Sequence, residues 1–169
     1  TLPAEDGYAR LKQWVLPSED HSSFRMFYRS VAIEPNADPL IRSASDLQSP
    51  ALELARLARQ LNRVDELAKE VEAIAVSAEL DKRSKQAMLA LLAMQGGDPQ
   101  QALGKIGAVA KTLMARLPQS LTAQQRAAEL LVAWEAMQNP ETLPLAVELA
   151  TKLRDNERDE KLRSNDDRF

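Results

Sequence analysis

The sequence predicts an all-α fold of antiparallel helical hairpins stacked on one another, and three observations carry that prediction. Aromatic residues make up only 4% of the 169-residue chain, while Ala and Leu, which lose little side-chain freedom in a helix, recur through its second two thirds. Of only five glycines, Gly96, Gly97 and Gly104 fall close together, so long stretches are free of helix breakers. From residue 49 onward, apolar residues return every three or four positions in segments divided by turn residues, the period of a helix with one face buried.

The first helix spans residues 4–16, where Tyr8, Leu11 and Val15 share helical spacing and Pro17 stops the run. Ser49-Pro50 opens the next: Ser accepts from a free backbone N–H, and Pro costs nothing at a first position whose N–H needs no partner. Leu54, Leu57, Ala58 and Leu61 form its inner face, and Asn62-Arg63 breaks it. Residues 64–76 follow with Leu67, Val71, Ile74 and Ala75 inward. A helix near 81–95 ends at Gly96-Gly97-Asp98-Pro99. The next, near 99–117, carries Leu103, Ile106, Ala110, Leu113 and Leu117, and Pro118 closes it. A helix over 121–138 places Ala127, Leu130, Leu131, Trp134 and Met137 inward, with Trp134 as core. Asn139-Pro140 precedes a last helix near 141–154 through Ala146, Leu149, Ala150 and Leu153. Glu157–Lys161 and Asp159–Arg163 are i,i+4 pairs that extend it to about residue 162 before a solvated terminus.

Residues 17–49 differ in kind. Three prolines and many Ser, Asp and Asn residues argue against a long helix. Residues 24–33 are aromatic and β-branched and read as a single strand, which needs a second strand or a surface of helices to lie on. The chain thus divides into residues 1–48, a helix plus an irregular or single-strand segment; 49–154, the helical array; and 155–169, a charged helix end and tail.

The turns superpose. Leu61-Asn62-Arg63-Val64-Asp65-Glu66-Leu67 and Gly96-Gly97-Asp98-Pro99-Gln100-Gln101-Ala102 share a turn residue, polar positions and an apolar residue opening the next helix; Asn139-Pro140-Glu141-Thr142-Leu143 is a looser copy. This plan resembles the turn between the two helices of a tetratricopeptide repeat. The copies are 35 and 42 residues apart, against a family period of 34, and the Trp and Tyr paired in that family's first helix are missing. The resemblance implies a right-handed stack of hairpins with an irregular third member. The alternative is a plain up-and-down bundle, which the same stripes would satisfy. Residues 8–76, through Tyr8-Ala9-Arg10-Leu11, Trp14-Val15-Leu16-Pro17, Ser49-Pro50-Ala51-Leu52-Glu53-Leu54 and the Asn62 turn, also resemble a domain of very long planctomycete proteins, of unknown function. That resemblance implies a fragment of a larger polypeptide, as does the opening Thr1-Leu2-Pro3, which lacks both Met and a signal-peptide pattern.

Chemistry is sparse. There is no Cys and one histidine, His21, so thiolate nucleophiles, Cys-ligated zinc and paired-His metal sites are excluded. Ser18-Glu19-Asp20-His21-Ser22-Ser23 places acid, base and hydroxyl side by side, but adjacent loop residues rarely point at one another as a triad requires. Gly96-Gly97-Asp98-Pro99 lacks the Lys and spacing of a phosphate-binding loop. The net charge of −3 draws the chain to neither nucleic acid nor an anionic membrane, and no apolar run is long enough to span a bilayer. Neither cofactor nor metal is implied. The candidate site is a basic stripe, Arg56, Arg59 and Arg63 at i, i+3 and i+7, which on the outer face of the array's first helix can hold an acidic or terminal carboxylate group; the plainer reading is solvated arginines. These features predict a non-catalytic interaction or scaffolding domain that binds protein or peptide. The alternative is an accessory helical domain to an enzyme elsewhere in a longer chain.

Overall fold

The computed structural model describes residues 3–26, 49–114 and 123–166. Among these are seven helices: α1 (Ala4–Val15), α2 (Pro50–Gln60), α3 (Val64–Ala73), α4 (Glu79–Gln95), α5 (Pro99–Met114), α6 (Ala123–Ala136) and α7 (Leu143–Asp166). The described residues contain no strand beyond an isolated bridge between Ser18 and His21. The strand expected over 24–33 falls mainly outside the described residues; its first residues, Phe24 and Met26, are buried.

The helices begin and end where local chemistry requires. Ser49 caps α2 by accepting from the Leu52 N–H at 3.2 Å, and its hydroxyl donates to the Met26 carbonyl at 2.7 Å. One side chain thereby caps the helix and ties the N-terminal segment to it. At the other end of α2, Asn62 takes a left-handed φ of 56°. The Arg63 N–H reaches back to the Ala58 carbonyl at 2.7 Å and the Asn62 N–H to Arg59 at 3.1 Å, a Schellman closure that satisfies the final carbonyls. Gly97, at φ 78°, turns the chain out of α4. Asp98 then opens α5, its Oδ1 accepting from the N–H groups of Gln100 and Gln101 at 3.0 and 3.3 Å. Between α6 and α7, Thr142 Oγ1 donates to the Ala136 carbonyl at 2.7 Å, and Asn139 Oδ1 accepts from the Glu141 N–H at 3.0 Å.

Helices joined by these short turns pack on each other: α2 on α3, α4 on α5, α6 on α7. Further contacts join α1 to α2, α3 to α4, and next-but-one neighbours α2 to α4, α4 to α6 and α5 to α7. Helix α4 thus meets four others. Its residues Ala87 to Ala93 are buried without a break, as a helix enclosed on all sides must be. Tyr8 and Val15, Leu54 and Ala58, Leu67 and Val71, Ile106 and Val109, Val132 and Ala136, and Ala146 and Leu149 join α4 in one core.

Three sequence expectations need correction. Trp134 is not core: 42% of it is exposed, and Met137 is exposed as well. The residues that α6 buries include Glu129, Leu131, Val132, Ala133 and Ala136, and Trp134 stands roughly 160–200° around the helix from Val132 and Ala136. In an Ala-rich helix with apolar residues on several sides, the largest side chain does not mark the inside. Ala75 is also exposed, because α3 stops at Ala73. The last helix runs on to Asp166, beyond the expected 162. No helix among the described residues is long and apolar enough to cross a membrane.

Candidate functional site

A groove of about 860 Å³ opens beside the C-terminal half of α2, within the size range of ligand-binding clefts. Helix α2 supplies Arg56, Arg59 and Gln60. The end of α4 and the turn into α5 supply Met94, Gln95, Asp98 and Pro99, and the end of α6 and its turn supply Glu135, Gln138, Asn139 and Glu141. The groove exists because two chain reversals, α4 to α5 and α6 to α7, converge on one helix.

The structure brings two of the three candidate arginines together and separates the third. Arg56 and Arg59 are one turn apart on α2 and both line the groove. Arg63 lies beyond the left-handed turn at Asn62, which ends the helix and its face, so the i+7 extrapolation fails. It pairs instead with Glu5 of α1 at 3.0 Å and stacks 5.4 Å above the Tyr8 ring.

Arg56 is engaged. Its guanidinium donates to Glu135 Oε2 at 3.2 Å, and Glu135 Oε1 accepts from Gln95 Nε2 at 3.1 Å. The Glu135 side chain keeps only 10% of its exposure, so this carboxylate is held by two donors and joins α6 to α2 and α4. Arg59 is exposed and has no ion pair among the described residues. The groove therefore presents one committed cation and one available cation.

His21 lies elsewhere. Its Nδ1 sits 3.1 Å from the Ser23 carbonyl oxygen and its Nε2 3.3 Å from that of Gln13, so the ring joins the loop to α1 and neither nitrogen faces a hydroxyl. Among the described residues, no three His, Asp or Glu side chains converge as a metal site would require.

Sequence reasoning missed the groove's polar lining of Gln95, Glu135, Gln138 and Glu141. The turn residues Gly97 and Asn139 were visible as turns, but no local signal says that two turns and a distant helix share one wall. No protein-family model matches the chain, and comparison with curated proteins and with solved structures gave no match.

Proposed function

We propose that this chain is a non-catalytic protein-interaction domain, a right-handed stack of helical hairpins resembling tetratricopeptide repeats, that receives a peptide segment of its partner in the groove beside α2. The observation that carries the reading is Arg59: an exposed guanidinium without an ion pair among the described residues, one turn from Arg56, on the wall of a groove large enough for several residues. Such a group offers paired donors to a carboxylate. The stacking is supported by the contacts of α2 with α4, α4 with α6 and α5 with α7, and by the left-handed residues at the Asn62 and Gly97 turns.

The test is selection of binders from a displayed peptide library, followed by affinity measurement on the wild type and on Arg59→Glu. Arg59 is exposed and its loss leaves no buried charge, so the thermal midpoint is expected to stay unchanged while affinity falls about tenfold, the loss of one charge-assisted contact. Binders indifferent to Arg59→Glu, or no binders at all, would reject the groove as the site.

A further inference from the structure

The charges and amides of the groove define its occupant more narrowly than a carboxylate. Cations come from α2 alone, as Arg56 and Arg59, and available carboxylates come from the turns. Glu141 is exposed with no ion pair among the described residues, and Asp98 uses Oδ1 for its two capping bonds. Glu135 is occupied by Arg56 and Gln95. A ligand of one sign would satisfy one of these sets and face the other unpaired.

The amides add a second constraint. Four primary amides line the groove: Gln60, Gln95, Gln138 and Asn139. Some of their capacity is used: Gln95 Nε2 goes to Glu135, Gln138 Nε2 to the Trp134 carbonyl at 3.4 Å, and Asn139 Oδ1 takes the Glu141 N–H. Both amide atoms of Gln60, the Oε1 of Gln95 and of Gln138, and the Nδ2 of Asn139 have no hydrogen-bond partner among the described residues, leaving donors and acceptors together on one surface. A helix satisfies its own backbone and offers little to such a surface, whereas an extended chain leaves its N–H and C=O groups to be met from outside.

We infer that the groove takes an extended, non-helical peptide segment of mixed charge, with an acidic residue against Arg59 and a basic residue toward Glu141. This rests on the proposed function and specifies the partner of that same site. Arg56 stays with Glu135 and shapes the wall, so the acidic group of the ligand depends chiefly on Arg59.

The test is an array of blocked heptapeptides with a central proline, which keeps them from forming helices. Each carries one Asp and one Lys at every spacing and in both orders, beside acid-only, base-only and uncharged sets. Binding is read at low ionic strength, where exposed charges are screened least. A subset of the mixed peptides is expected to bind about tenfold tighter than any acid-only peptide. Arg59→Glu should abolish that preference. Glu141→Arg, which alters an exposed side chain and leaves the backbone bond to Asn139 in place, should weaken the mixed peptides and tighten the acid-only ones. Acid-only peptides that bind as well as mixed ones, or mixed binding indifferent to Glu141→Arg, would overturn this inference and leave the proposed function standing. Absence of binding across the array would overturn the inference. If selection from the displayed library also fails, the proposed function falls with it.

Discussion

Two Arg–Glu contacts in this molecule have nearly the same length and opposite settings. Arg63 meets Glu5 at 3.0 Å where α1 crosses the turn before α3, and both side chains are well exposed, at 39% and 58%. Arg83 meets Glu129 at 2.8 Å between α4 and α6, and each keeps only 2% of its exposure. The outer pair gives up little hydration and gains little. The inner pair has lost its water, and a single bond through Arg83 Nε does not replace it. Both terminal guanidinium nitrogens of Arg83 and the second oxygen of Glu129 have no hydrogen-bond partner among the described residues. The contrast teaches that distance alone does not rank ion pairs. What decides is whether every polar atom taken from water finds a partner.

The largest expected effect breaks the inner pair from one side. Arg83→Met should leave Glu129 buried and uncompensated and lower unfolding free energy by about 3–5 kcal/mol in urea titration. The double variant Arg83→Met/Glu129→Leu removes both charges and all three orphaned atoms. It should recover that loss and equal or exceed wild type, by up to about 4 kcal/mol. A double variant as unstable as the single one would show that the pair contributes net stability.

A smaller effect is expected beside the outer pair, at Tyr8. Its ring lies beneath Arg63, and Lys12 sits 5.8 Å from its centroid, but its buried hydroxyl has no hydrogen-bond partner among the described residues. Tyr8→Phe removes that orphan and should leave stability at pH 7 unchanged or raise it by about 1 kcal/mol. Burial, with Glu70 and Glu66 nearby, lifts the Tyr8 pKa above its ordinary value of 10.0. The folded state therefore keeps this proton after the unfolded chain releases it. The contribution of Tyr8 is fully present below pH 10 and lost as pH rises toward the folded value. Wild type should lose stability more steeply than Tyr8→Phe above pH 10; parallel curves would show that the hydroxyl is solvated.

The smallest effect belongs to Arg63→Ala. Losing an exposed ion pair and one cation–π contact should cost about 0.5–1 kcal/mol, less at high salt. A loss of several kcal/mol would mean that α1 depends on this residue to stay docked.

The sequence made the helices legible because their signals are local. Ser49-Pro50, Asn62, Gly97-Asp98 and Asn139 act through their own backbone angles and hydrogen bonds to residues two to five positions away, and each marks the boundary expected of it. That the helix from Glu79 to Gln95 is enclosed by four others was not read from the sequence and came from packing alone. The candidate site was half legible. Arg56 and Arg59 share a face because both lie within α2, whereas Arg63 was assigned to that face by continuing a helical count through a residue that ends the helix.

By itself the sequence determined the all-helical class, the turns at Asn62, Gly97 and Asn139, and the pairing of two arginines on α2. Only the tertiary structure decided that Trp134 faces outward while Glu129 faces inward, that Arg63 serves α1, and that two turns close a groove against α2. Helix boundaries follow from sterics and hydrogen bonds within a few residues. Which side of a helix is buried, and which charge loses its water, depends on the neighbour that covers it, and that neighbour is set by packing between residues far apart in the chain.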